Sequence, residues 1–320
     1  MSKSHAIGID IGGTTAKFGI VTRDGKILEQ DRLPTNAHES VEDFIDDLYN
    51  KLAPMIEKIG GSKNLVGIGM GAPNGNYYSG NIEFAPNLKW KGIIPIAELM
   101  QKKFSLPTKL TNDANAAAVG EMMYGCAKDM KDFITITLGT GVGSGIVING
   151  KIVLGHDGFA GELGHTIIRP GGRLHKSTLM HGSLEAYASA TGVRETAIEL
   201  LTEHPEAESL LRDFSLNELT SETVFDCAMK GDSIANRIFE FTGQILGESL
   251  ANFVMFSSPE AIVLFGGLTK AGNLLLNPTR KHMEANLLPI FQNKVKLLFS
   301  ELKEADAAIL GASALIWDTK

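Results

Sequence analysis

Apolar and polar positions along this chain fall into two stretches of nearly the same design. From Ile7 to Glu29, an apolar run ends in DIGGTT (Asp10 to Thr15), a second run with strand patterning follows (Lys17 to Thr22), and Asp24-Gly25 turns into a third. From Ile134 to Gly155 the plan repeats: apolar run, glycine turn from Gly139 to Gly145, apolar run, Asn149-Gly150 turn, apolar run. This repetition predicts that the halves of the chain are structurally duplicated. Between the two stretches, Val41, Phe44, Ile45, Leu48, Leu52 and Ile56 recur at helical spacing from Ser40 to Ile59, with Ser40 and Asp43 as a cap. Leu65 to Met70 reads as a buried strand and GAPNGNYYSGN (Gly71 to Asn81) as the loop at its carboxyl end, where α/β folds place ligand sites. Pro95 to Phe104 reads as a short helix and Thr108 to Leu110 as a short strand. NDANAAAVGE (Asn112 to Glu121) passes from polar to alanine-rich, which puts Asn112 and Asp113 at a helix N-terminus.

Glycines at such turns let backbone amides approach an anion without a Cβ in the way, and Thr14, Thr15 and Thr140 add hydroxyl donors. Two turns in matched settings, each with threonine, point to a two-jawed nucleotide clamp. Neither is a P-loop, because no Gly-Lys-Ser/Thr follows. Neither fits a dinucleotide fingerprint, because strands rather than a helix follow the glycines.

Composition narrows the class. The 320 residues suffice for two domains, and 43% hydrophobic with 21% charged residues is ordinary globular usage. A net charge of −7 argues against nucleic acid as a partner. The opening MSKSHAIGID enters the first strand with no signal-peptide core, and no stretch reaches transmembrane length, so no membrane association and a cytoplasmic location are expected. Cys126 and Cys227 stand in unrelated contexts with no CxxC pairing and read as reduced thiols.

Asp113 is the candidate chemical base. It follows a strand that ends near the same region as the glycine turns, and attack by a sugar hydroxyl on phosphorus needs a carboxylate to accept the proton. GELGH (Gly161 to His165) and HGSLEAYAS (His181 to Ser189) supply Glu162, His165 and Glu185 among small and apolar neighbours, a set suited to gripping several hydroxyls at once.

Together, DIGGTT, NDANAAA, LGTGVGSG, GELGH and LEAYAS resemble, in order and approximate spacing, the ROK family of sugar kinases, repressors and open reading frames, across essentially the whole chain. The resemblance implies an actin-like ATPase (ribonuclease H-like) fold with two α/β domains around a cleft. The smaller would be residues 1-118 plus 304-320 and the larger 119-303. It implies ATP-dependent phosphorylation of a hexose, with Mg2+ held through water by Asp10 and Asp113 as the base. Asn87, Asn112, Glu162, His165 and Glu185 look like hydroxyl ligands, as does Asp113. Gly12, Gly13, Thr14, Thr15, Gly139, Thr140 and Gly141 look like the phosphate turns. IVLFGGLTKAG (Ile262 to Gly272), with Gly266 and Gly267, resembles the segment beside the adenosine, and AAILGASALI (Ala307 to Ile316) the closing helix on the first domain. The resemblance further implies a homodimer, although the apolar stripe from Ile238 to Phe253 reads as core.

Two departures stand out. Many members carry a CxCGxxGC segment that binds zinc with the GELGH histidine, and this chain has Lys176, Thr178 and Ser183 at the cysteine positions. No zinc site is expected, and hydrogen bonds or packing should hold the loop near His175 instead; a substitute site from His165, His175 and His181 would lack a cysteine or carboxylate at the expected spacing. GAPN (Gly71 to Asn74) ends in asparagine where glycine is more usual, and asparagine tolerates positive φ. The retained set most resembles the glucokinase branch, with phosphorylation of glucose at O6. Fructokinase and N-acetylmannosamine or N-acetylglucosamine kinase are the alternatives. A repressor would need a helix-turn-helix ahead of DIGG, which begins at residue 10, and a non-catalytic sugar-binding or regulatory protein would be expected to lose Asp113 or a phosphate turn.

Overall fold

A computed structural model describes residues 3–317. In chain order, β1 (His5–Ile11), β2 (Thr15–Thr22) and β3 (Ile27–Pro34) form a meander, followed by α1 (Val41–Lys58) and β4 (Leu65–Gly71). The short strands β5 (Ile82–Glu83) and β6 (Ile93–Ile94) pair with each other and precede α2 (Ile96–Phe104), β7 (Thr108–Thr111) and α3 (Asp113–Tyr124). Then come β8 (Phe133–Leu138), β9 (Val142–Ile148), β10 (Lys151–Ile152), the hairpin β11 (Leu174–His175) and β12 (Met180–His181), α4 (Glu185–Ala188) and α5 (Ala190–Glu203). The chain continues through α6 (Ser221–Met229), α7 (Ser233–Ser257), β13 (Ala261–Phe265), α8 (Asn273–Ala285), β14 (Lys296–Phe299) and α9 (Glu304–Ala314).

The chain divides into two compact units. One comprises Met1–Lys131, Gly145–Gly161 and Ser300–Lys320, the other Asp132–Ser144 and Glu162–Phe299. The first contains a five-stranded sheet in the order β3-β2-β1-β4-β7, antiparallel through β1, β2 and β3 and parallel from β1 to β7. On one side lies α1, started by Ser40, whose Oγ accepts the Asp43 N–H at 3.1 Å. Its apolar face, including Phe44, Ile45, Leu48 and Leu52, is buried in a core shared with Ile7, Ile9, Phe18 and Ile20. At about 25 cal/mol per Å2 of apolar surface, burial of that face outweighs the few tenths of a kcal/mol available from the exposed Lys51–Asp31 and Lys58–Glu29 pairs. On the other side lies α9, which can approach only because β1 and β4 carry glycine there. A Cβ on Gly8 would stand 2.1 Å from the Ile309 carbonyl oxygen, and one on Gly69 would stand 1.9 Å from that of Ala312.

The second five-stranded sheet has the order β10-β9-β8-β13-β14, which matches the first sheet position for position and bears out the duplication. In the second unit β13 lies parallel to both β8 and β14. The copies differ at their edges: β10 has 2 residues where its counterpart β3 has 8, so the third apolar run is mostly not a strand. Asn149 and Gly150, with φ of 52° and 70°, make the left-handed pair of a tight hairpin turn into it. The Ile238–Phe253 stripe is core, with Ile238, Phe239, Ile245, Leu246 and Leu250 fully buried on α7. Among the described residues no helix is long and apolar enough to cross a membrane.

Candidate functional site

The first unit builds its chemistry at the carboxyl ends of adjacent strands. Asp10, near the end of β1, lies opposite Lys17 on β2 and Gly71 on β4. Gly71 in turn pairs with Thr111 at the end of β7, and Asp113 follows two residues later as the first residue of α3. The two carboxylates therefore flank one glycine: a Cβ on Gly71 would be 3.7 Å from Asp113 Cα and 3.8 Å from Asp10 Oδ1. Burial pushes the Asp10 carboxyl up to about 6, the Asp113 charge pushes it the same way, and Lys17 only partly offsets them. Burial also raises Asp113, opposed by the N–H groups of Ala114 and of Asp113 itself. Asp113 nonetheless exposes much of its surface to solvent.

Asn112, not Asp113, caps α3: its Oδ1 accepts the Asn115 N–H at 2.7 Å. Asp113 is thereby released from capping, and its Oδ1 accepts the adjacent Ala114 N–H at 2.9 Å. The first glycine turn is closed by Gly12 N–H donating to the Thr15 carbonyl at 3.1 Å. Gly13 lies so close to Asn87 that a Cβ would meet its carbonyl oxygen at 2.5 Å, which fixes the candidate sugar ligand beside the candidate phosphate turn. In the loop after β4, Asn74 does take a positive φ of 51°, and its amide donates to the Glu83 carbonyl at 3.0 Å.

The second unit groups a different set. In its glycine turn, Gly139 N–H donates to the Gly141 carbonyl at 3.0 Å, while the carbonyls of Gly139 and Thr140 accept from Ala190 N–H and the Thr191 hydroxyl. Glu185, at the start of α4, lies directly on this turn: its Oε2 accepts the Val142 N–H at 2.8 Å, and a Cβ on Gly141 would be 2.3 Å from that oxygen. A Cβ on Gly139, by contrast, would meet nothing within 4 Å, so that glycine faces open space. His165 and Glu162 are neighbours on one short turn, Nε2 to Oε2 3.8 Å, and His165 Nδ1 is buried without a hydrogen-bond partner. Beside Gly267 a cavity of about 290 Å3 is lined by Leu268, Lys270, Phe225 and Phe239 among others. Gly266, which precedes it at φ 106°, is pressed against Leu138 of β8.

The cysteine-free segment forms the β11–β12 hairpin, and its histidines take separate partners. His175 Nε2 is 3.1 Å from Glu185 Oε1, while His181 Nδ1 is 2.9 Å from the Gly172 carbonyl. Among the described residues no group of three or more His, Cys, Asp or Glu side chains could hold a metal ion. Hydrogen bonds run between the hairpin and its surroundings. Arg173, stacked 4.5 Å over the Tyr187 ring, donates to the carbonyls of Ala186 and Gly192 and to the Thr196 hydroxyl, and its own N–H donates to Tyr187 Oη at 2.7 Å. Both cysteines are free; burial, reinforced by Glu121, pushes the Cys126 thiol up to about 12, which leaves it inert near neutrality.

Sequence reasoning missed Lys17, Arg173 and Asn76. Lys17 opens the strand-patterned run after the first turn, but only strand register reveals that it faces Asp10. Arg173 carries no motif. Asn76, 4% exposed, organises the loop after β4 by accepting from the Tyr78 and Ser79 N–H groups and donating to the Asp157 carbonyl at 2.7 Å; one asparagine in a loop rich in them gives no signal.

Comparisons with known proteins agree on one kinship. The ROK family model matches residues 6–319. A glucokinase of Halalkalibacterium halodurans is 36% identical over 99% of this chain and 96% of its own length. One from Thermotoga maritima is 31% identical over 99% and 98%. Among solved structures, a ROK family glucokinase from Streptomyces griseus, in complex with glucose and AMPPNP, superposes with a TM-score of 0.79 at 31% identity, covering 97% of this chain and 98% of that one.

Proposed function

This chain belongs to the ROK family and has the actin-like ATPase fold of its glucokinases, and on that footing we propose that it is an ATP-dependent sugar kinase that phosphorylates glucose at O6. The observation that carries the reading is the carboxylate pair flanking Gly71. A general base for a hydroxyl must be ionised at working pH yet basic enough to draw a proton. Burial lifts the Asp113 carboxyl above the ordinary range, which makes it the more basic, and its side chain is exposed enough to reach a substrate. It takes the proton from the sugar hydroxyl as that oxygen attacks the γ-phosphorus of ATP, and ADP leaves.

Asp10 has the complementary role. Two nearby carboxylates with Lys17 as the facing countercharge are a hard-oxygen donor set that a divalent cation would relieve, which fits Mg2+ held by Asp10. The ion would neutralise charge on the transferred phosphoryl group. N–H groups at Gly12, Gly13, Thr14 and Thr15, and at Gly139, Thr140 and Gly141, are assigned to the phosphates, with hydroxyls of Thr14, Thr15 and Thr140 as further donors. The cavity beside Gly266 and Gly267 is assigned to the adenosine, where Phe225 and Phe239 offer apolar walls. Asn87, Asn112, Glu162, His165 and Glu185 are assigned to the sugar hydroxyls. Asn112 can serve while capping α3, because only its Oδ1 is used by the cap.

The reading takes the protein as a cytoplasmic homodimer without a nucleic-acid partner; a sedimentation mass of one chain would remove the dimer and leave the activity untouched. The activity is tested by ADP release from Mg·ATP with glucose, fructose, mannose, N-acetylmannosamine and N-acetylglucosamine. The highest kcat/KM is expected on glucose, with the 6-phosphate as product. Preference for another hexose would change the substrate, and no turnover on any sugar would reject the kinase.

A further inference from the structure

Glu185 is held on both sides. Its Oε2 accepts the Val142 N–H at 2.8 Å, and its Oε1 faces His175 Nε2 at 3.1 Å. That is a close imidazole–carboxylate contact, and on the other side of the ring Nδ1 lies 2.9 Å from Thr178 Oγ1. A relay of contacts therefore runs from Thr178 through His175 to Glu185. Each carboxylate oxygen keeps a second acceptor position, enough for substrate hydroxyls. The side chains of His175 and Glu185 are each only 12% exposed, so the contact is shielded from competing water. Much of the hairpin that carries His175 is open to solvent, with Leu174 42% and Leu179 74% exposed, whereas His175 is half-buried.

We propose that His175 is a positioning residue for sugar binding: the β11–β12 hairpin aims Glu185 at the hexose through the Thr178–His175–Glu185 relay, with no metal in the hairpin. This rests on the reading of Glu185 as a hexose ligand. Removing the imidazole leaves Glu185 held only by Val142, free to turn or to take up water, and that weakens glucose more than it slows chemistry.

The test compares wild type with His175→Ala, His175→Gln, Glu185→Ala and the His175→Ala/Glu185→Ala double variant, reading KM for glucose, kcat and Tm. His175→Ala should raise KM for glucose about tenfold, the size expected for loss of a shielded contact to a charged group, with kcat within about threefold. His175→Gln, which keeps an N–H donor, should recover most of the loss. The double variant should be no worse than Glu185→Ala, because the two act through one contact. A folded His175→Ala with unchanged KM, beside a Glu185→Ala variant with raised KM, overturns the positioning role alone. Unchanged KM in Glu185→Ala overturns the ligand reading on which it rests. Should His175→Ala fail to fold, Thr178→Val removes the hydroxyl donor at similar volume: a severalfold rise in KM for glucose supports the relay, and no change overturns it.

Discussion

The two glycine turns follow equivalent strands of two sheets with the same order, yet their side-chain surroundings are opposite in character. Around the first, Asp10 and Asp113 are held where burial opposes their ionisation. Around the second, Glu185 has both oxygens engaged, one by a hydrogen bond from the turn itself and one by the close approach of the His175 ring. The backbone device is duplicated and the electrostatics are not. Charge kept unsatisfied marks the place where a cation and a reacting hydroxyl are expected, whereas charge already satisfied marks a rigid mount. Duplication thus supplies two anion-binding frames, and a few carboxylates decide what each does.

The largest effect that sharpens this contrast is expected from Asp113→Asn. It should lower kcat at least about a thousandfold with little change in glucose affinity, measured by steady-state assay and by calorimetric titration. Near-normal turnover would erase the functional difference between the turns. On the second turn, Gly139→Ala should leave Tm nearly unchanged, because its Cβ meets open space, while raising KM for ATP about tenfold if that space belongs to a phosphate. A fall in Tm without a change in KM would make the glycine structural.

Asp10→Asn is predicted to stabilise the ligand-free protein. The folded-state carboxyl, at about 6 against an ordinary 3.8, binds its proton more tightly than the unfolded one, so wild-type stability falls as pH rises through the interval from about 4 to 6. At pH 7.5 the deficit is up to about 3 kcal/mol, at 1.36 kcal/mol per unit. Urea unfolding without divalent ions at pH 4.5 and 7.5 should show that slope in wild type and a flat response at this position in Asp10→Asn, together with weakened Mg2+ dependence of activity. The smallest effect belongs to the hairpin. Leu179 holds a φ of 57° while mostly exposed, at the glycine position of the CxCGxxGC pattern, so Leu179→Gly should gain about 0.5 kcal/mol after glycine's own entropic cost.

Periodicity made α1, the repeated run-turn-run plan of the two halves and the core role of α7 legible, because each depends on repeating apolar positions. The motif residues were also visible, since glycines and carboxylates in polar-to-apolar transitions are local signals. Three things were not. The capping residue of α3 was open between Asn112 and Asp113, because both are good caps and only backbone geometry separates them. The pairing of Asp10 with Lys17 and with Asp113 depends on register across four strands. The β11–β12 hairpin has strands of 2 residues, too short for any pattern, and is fixed by Arg173 reaching the distant Thr196.

The most direct test of the whole account is glucose-dependent ADP release by the wild-type protein after chelator treatment strips transition metals and magnesium is restored. A kinase whose hairpin is held by hydrogen bonds should turn over glucose at its untreated rate. Activity lost on stripping and regained only with zinc would contradict the metal-free sugar site, and absence of ADP before and after treatment would contradict the kinase itself.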